Sequence, residues 1–278
     1  MQKQIDTHCL YIVKMSVKIN EIIQELERHF PPRLQESYDN AGYQLKSGIC
    51  DIERCLVSLD VTEEVVREAI DNGCQLIIAH HPMIFGRGLM SITGATPVER
   101  AIQLAIRHQI SIYCAHTNAD SVPSGTSRVM MQRIGIEKFC MLKPISGETI
   151  ECGAGAIGEL PQPADTMDFL YQLKAKFNCG AIRHTRPVKP QVRKIAVCGG
   201  SGSFLLQEAI RQGADVFVSG DFTYHKYFEA DGRILIADLG HFETEIGIKD
   251  VFLDVLQKKF INFAVLKSVI NTNPINYL

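Results

Sequence analysis

The amino-acid sequence predicts an α/β protein built as two linked α/β subdomains with mainly parallel sheets. Short apolar runs of strand length alternate with segments of helical periodicity in both halves of the chain. The alternation breaks once, around MLKPISGE. In each half, polar turns that carry histidine follow directly on predicted strands.

The elements follow in order. Ile19, Ile22, Ile23, Leu26 and Phe30 share one helical face, and Pro31-Pro32 stops that helix. Residues 54–61 (RCLVSLDV) read as a buried strand, 63–72 as a helix stopped by Gly73, and 75–79 (QLIIA) as a second strand. This is a βαβ unit, which requires parallel strands. The pattern continues with a helix over 98–108, a strand over 110–114 and a helix over 126–134. After a less regular middle it resumes with strands over 194–197, 216–219 and 234–237. Helices are predicted between and after them over 204–212, 225–230 and 242–258. The divide falls between Phe139 and Thr149, giving a first half of residues 15–142 and a second of 143–278, with the last strand free to return to the first half. Residues 1–14 lack either periodicity and Met15 opens a well-formed amphipathic segment. The native start is therefore expected at Met15, with 1–14 a non-native or disordered extension.

With 46% apolar and 22% charged residues, the chain has ordinary globular composition. A formal charge of -2 and a pI near 6.5 give no electrostatic reason to expect nucleic acid or an anionic membrane as partner. No apolar run approaches the roughly 20 residues that cross a bilayer. Nine cysteines without a CxxC pair resemble neither a zinc ribbon nor a disulfide framework, which points to a reducing, cytoplasmic setting.

In parallel sheets, functional side chains gather where strands end. LIIAHHP places His80 and His81 past one predicted strand, IYCAHTNAD places His116 and Asp120 past another, and LIADLGHFETE places Asp238, His241 and Glu245 past a third. A single histidine after a strand is usually a hydrogen-bonded turn residue. Several such clusters at strand ends instead point to a metal site, because neutral imidazole and carboxylate are the usual ligands of zinc, iron and manganese. His241 and Glu245 are spaced to face one point on a helix, while the adjacent His80 and His81 diverge and can serve two different ions.

Taken in order, SYDNAGYQL, SLDVTEEVV, AHHPMIFGRGLMSIT, AHTNAD, CGGSGS, SGDFTYHKYFEA and DLGHFETE resemble the GTP cyclohydrolase I type 2 / Nif-three-like family from about Met15 onward. The resemblance implies a dinuclear metal site between the two subdomains and assembly into a homohexameric ring. Carried over residue by residue, it implies metal ligands His80, His81, Asp120, His241 and Glu245, with Glu245 bridging. His116 becomes a further ligand or a hydrogen-bond partner of the ligands. Two divalent ions of zinc, iron or manganese are implied, with a small molecule, such as a nucleotide, as substrate. After AHTNAD the family commonly has a glycine-rich stretch with another Asn-Asp where this chain reads SVPSGTSRVM, so one pocket wall differs.

Asp221 and His225 follow a strand and can act as general acid and base, or Asp221 can cap the next helix with His225 facing solvent. The amides of CGGSGS can cradle a phosphate or form a tight turn. Asp39 and Asn40 can line the site or serve a turn, Cys114 reads as a buried thiol, and Arg87 can meet an anion or sit on the surface. Two functions follow. One is a metal-dependent hydrolase, for which the family's name implies ring opening of GTP. The other is a non-catalytic metal-binding protein that regulates or binds partners.

Overall fold

The computed structural model describes residues 16–86, 88–148 and 151–278. Residues 1–14, Met15 and Arg87, on which the expectations about an extension, a native start and an anion contact fall, lie outside the described residues.

The chain opens with β1 (Val17–Lys18) and α1 (Ile19–His29), followed by β2 (Gly42–Leu45), β3 (Asp51–Ile52) and β4 (Arg54–Ser58). Next come α2 (Glu63–Asp71), β5 (Leu76–Ala79), α3 (Pro97–Arg107), β6 (Ser111–Cys114), α4 (Thr117–Asp120) and α5 (Thr126–Ile134). A five-stranded sheet forms from these and the last strand, in the order β13 (Ala264–Lys267), β4, β5, β6, β2. Its first four strands are parallel and β2 runs antiparallel at the edge. The central strands are buried at every position from Leu76 to Ala79 and from Ser111 to Cys114, as continuous apolar runs require when helices cover both faces.

The second part holds β7 (Phe139–Pro144), β8 (Gly153–Asp165), α6 (Thr166–Lys176), β9 (Arg183–His184) and β10 (Gln191–Ser201). It continues with α7 (Leu206–Arg211), β11 (Val216–Gly220), β12 (Leu235–Asp238), α8 (His241–Glu245) and α9 (Ile248–Lys259). The sheet order is β7-β8-β10-β11-β12-β9. Here the expectation of a mainly parallel sheet is corrected. Only β10, β11 and β12 pair in parallel, while β7, β8 and β9 join antiparallel. The short connection between β7 and β8 can close only an antiparallel pair.

Two crossings tie the sheets together. Met130, Met131 and Ile134 of α5 pack into the core of the second sheet with Ile195 and Val197 of β10, whereas Ile248, Phe252 and Leu256 of α9 pack with Ile22 and Leu26 of α1 under the first. The single helix expected over 242–258 is two. The ladder is interrupted at Gly247, where α5 comes so close that a Cβ would lie 2.4 Å from Val129 Cγ1. Among the described residues no helix is long and apolar enough to cross a membrane.

Phe252 is fully buried and meets the Phe30 ring edge-on at 5.2 Å between centroids. Phe252→Ala is expected to cost about 3–5 kcal/mol through lost burial and an unfilled cavity. Urea denaturation against the parent chain checks this, and a loss below about 1 kcal/mol would contradict the placement of α9 in that core.

Candidate metal centre

Strands of both sheets deliver side chains to one place. His80 and His81 follow β5, His116 follows β6, and His241 opens α8 directly after β12 and its Leu239-Gly240 turn. Glu245 lies one helical turn beyond His241, buried, with its Oε2 2.9 Å from His241 Nε2 and 2.8 Å from His81 Nε2. The two histidine Nε2 atoms are 3.3 Å apart. Asp120, at the end of α4, accepts a hydrogen bond from the Thr126 hydroxyl at 2.6 Å.

The other ring nitrogen of each histidine is fixed. His81 Nδ1 lies 2.7 Å from Asp60 Oδ1, His116 Nδ1 2.8 Å from Asp39 Oδ1, and His241 Nδ1 2.6 Å from Asp221 Oδ2. His80 Nδ1 donates to the Ala115 carbonyl at 2.9 Å. Acceptors at Nδ1 set the tautomer and turn Nε2 toward the shared space, which is how histidine ligands of metals are ordinarily held.

His80 tests the fit. Its Nε2 is buried without a hydrogen-bond partner among the described residues, 3.6 Å from Asp120 Oδ1 and 3.8 Å from Glu245 Oε2. A buried nitrogen lone pair facing two carboxylates is costly unless a cation stands among them. Three groups have ligand atoms within 4.8 Å of one another: His80, Asp120 and Glu245; His81, His241 and Glu245; and His80, His81 and His116. Glu245 belongs to two of them, and the donor set of imidazole and carboxylate suits zinc, iron or manganese.

Charge follows this geometry. Burial pulls the His80 pKa down to about 3, so its ring is neutral. Burial also opposes charge on His81, yet bonds to Asp60 and Glu245 outweigh it and push the pKa up to about 9. For His241 the same opposition is overcome by Asp221 and Glu245, to about 11. Burial and the nearby Glu245 carboxylate raise Asp120, whereas the histidines around Glu245 outweigh its own burial and hold it well below the carboxylate range. Asp39 is also buried against its charge, and His116 and Thr117 bring it down to about 2.

The glycines of CGGSGS serve the cluster by standing clear of it. Gly200, with φ +57°, would bring a Cβ to 2.2 Å from Glu245 Oε1. Its amide donates to Thr244 Oγ1 of α8 at 2.9 Å and that of Gly202 to Ser219 Oγ of β11 at 3.0 Å, so both amides are engaged within the protein and neither is open to a phosphate. Asp238 is buried beneath the cluster, accepting from Phe222 N, Tyr227 Oη and Gly240 N as well as Arg183. It anchors both loops that bear Asp221 and His241.

The pair expected for acid–base work is not brought together. Asp221 faces His241, and His225 is exposed on a 3-10 turn (Tyr224–Ala230) beside the rings of Tyr224 and Phe228. Asn40 donates to the Ile84 carbonyl, and Cys114 is buried with its thiol on the His81 carbonyl. Asp60 was not singled out by the sequence, although it ends the run RCLVSLD and a carboxylate just past a strand was the available signal.

A cavity of about 250 Å³ opens beside the cluster, lined by His116, Asp120, His241 and Glu245 and by the exposed rings of Tyr38, Phe85 and Phe204.

The model of the family described as Duf34/NIF3 (NGG1p interacting factor 3) matches residues 17–274. A GTP cyclohydrolase 1 type 2 homolog of Clostridium perfringens is 33% identical over 234 residues, covering 82% of this chain and 87% of its own. Another, of Clostridium acetobutylicum, is 30% identical over 268 residues, covering 95% and 100%. The crystal structure of a Bacillus cereus protein related to NIF3 superposes with a TM-score of 0.87 at 23% identity, over 94% of this chain and 99% of that one, and so shares the fold.

A divalent cation at Nε2 must displace the protons that His81 and His241 hold up to about pH 9 and about pH 11. Both values lie above that of a free imidazole. The stabilisation these rings give the folded chain without a cation is therefore complete below about pH 6.5 and lost as pH rises through those values. Zinc affinity is expected to rise over the same interval, with release of about two protons per site at pH 7. Calorimetry in buffers of different ionisation enthalpy measures the release, and none at all would contradict the protonation assigned here.

Proposed function

The chain belongs to the Duf34/NIF3 family, and from that premise we propose that it holds two divalent cations and hydrolyses a nucleotide or related small molecule. The observation that carries this reading is the Nε2 of His80, without a hydrogen-bond partner among the described residues and directed at Asp120 and Glu245 amid oriented histidines. His80, Asp120 and Glu245 would hold one cation and His81, His241 and Glu245 the other, Glu245 bridging. Such cations supply Lewis acidity and make deprotonated water accessible near neutral pH.

The remaining work falls to the chain's own groups. Asp60 and Asp221 fix the tautomers of His81 and His241. We assign proton handling to His116, whose ring lines the cavity with its Nδ1 held by Asp39. His225, outside that lining, has no contact that supports the same role. Tyr38, Phe85 and Phe204 give the mouth flat apolar faces suited to a planar ring. The names of the clostridial relatives, GTP cyclohydrolase 1 type 2 homolog, make GTP the first substrate to try. Assembly into a homohexameric ring is part of the same proposal, and a native mass other than six chains would remove it.

Glu245→Ala is expected to lose most bound metal while keeping the fold, and full occupancy by elemental analysis would refute the bridging role. Wild type loaded separately with zinc, manganese or ferrous iron is expected to consume GTP and release formate, with Glu245→Ala as blank. Intact GTP in every metal-loaded sample would move the reading to another substrate or to a non-catalytic metal-binding role.

A further inference from the structure

Beyond β13 the chain runs through residues 268–278 without helix or strand, yet side chains grip it along much of its length. Ser268 N donates to the Val57 carbonyl at 2.8 Å, and its own carbonyl accepts from the buried Lys249 amine at 3.2 Å. The Ser268 hydroxyl and the Val269 amide both meet the Glu68 carboxylate, the amide at 2.8 Å. At the far end the Tyr277 ring lies against Gly180, where a Cβ would fall 2.1 Å from Tyr277 Cδ2. The segment is therefore a strap that starts on the first sheet and finishes on the second half of the chain.

Midway it touches two carboxylates, one that holds a histidine of the cluster and one on the helix that carries two of its members. Thr272 Oγ1 donates to Asp60 Oδ2, while Asp60 Oδ1 faces His81 Nδ1 at 2.7 Å. Asn273 Nδ2 donates to Glu243 Oε1 at 3.0 Å, and Glu243 sits on α8 between His241 and Glu245. Asp60 keeps about a third of its side chain exposed, at 31%, so its orientation is not fixed by packing alone. With the Thr272 hydroxyl on one oxygen, the other is held toward the imidazole. Without it the carboxylate is free to rotate, and His81 loses the partner that sets its tautomer.

We propose that residues 268–278 are a strap that positions the His81 half of the cluster, with Thr272 as its positioning residue acting through Asp60. The proposal rests on the dinuclear reading above, and it adds a dependence of one cation site on a segment that supplies no ligand. It also requires reciprocity: if the strap strengthens binding at His81, a cation at His81 must steady the strap to the same degree.

The test titrates zinc into full-length wild type, Thr272→Val and Thr272→Ser against a chromophoric chelator. Amide exchange over residues 268–278 is followed with and without zinc. Thr272→Val is expected to weaken one of the two zinc ions by about 10- to 100-fold and to leave the other, at His80 and Asp120, unchanged. Thr272→Ser, which keeps the hydroxyl, retains both affinities. In wild type, zinc slows exchange along the strap. Equal affinities in Thr272→Val and wild type would overturn the proposal, as would a loss in Thr272→Ser as large as in Thr272→Val. Strap exchange indifferent to zinc in wild type would overturn it even if Thr272→Val failed to fold. Wild type that takes up no zinc would overturn the dinuclear reading and this proposal together, whereas the other outcomes strike the strap alone.

Discussion

Everything at the centre of this molecule depends on holding the Glu245 carboxylate charged in a buried position. Its Oε2 lies within 2.9 Å of two imidazole nitrogens, and a third stands at 3.8 Å. An ionised carboxylate removed from water is tolerated only when such partners are close and well aimed. Their aim is set at the far side of each ring, where Asp60, Asp221 and the Ala115 carbonyl accept from Nδ1 of His81, His241 and His80. The cluster is thus two concentric layers, and the outer one does the orienting.

The fold meets that constraint by turning the carboxyl ends of parallel strands from two sheets toward each other. β4, β5 and β6 lead to Asp60, to His80 and His81, and to His116; β11 and β12 lead to Asp221 and His241. Neither sheet can do this unless the two are held in register, and the crossings of α5 and α9 into the opposite cores supply that hold. Gly200 and Gly247 fall at close approaches between these elements. A side chain at the first would displace the Glu245 carboxylate, and one at the second would part α5 from the α8–α9 junction.

This division explains what could be read in the sequence. The strand-end pattern pointed to His80, His81, His116, Asp120, His241 and Glu245, which the structure brings near one another, because strand ends are local features and ligand chemistry is carried by residue type. The same pattern gave less for Asp60, hidden by extending the strand to Val61 when it stops at Ser58. It left His225 open between a role beside Asp221 and a place facing solvent, because following a strand says nothing about which way a 3-10 turn faces. The antiparallel part of the second sheet was illegible for another reason. β8 carries three glycines and two prolines within GAGAIGELPQPAD, which propensity reads as loop, and only its pairing with β7 and β10 makes it a strand.

The family resemblance and the geometry bear on different questions. Resemblance proposed a ligand set, whereas the physical argument for a cation there lies in unfavourable features that the folded chain retains. His80 keeps a buried nitrogen without a partner among the described residues, and Asp120 is driven toward its neutral form by burial and by Glu245. A sequence selected for stability alone would replace either residue with an apolar one of similar size at little cost. Both faults lie within 4.8 Å of Glu245, in a grouping that unites them, and a single positive charge there would relieve both. Local frustration that one cation can remove is a stronger reason to read this place as a metal centre than the number of histidines around it.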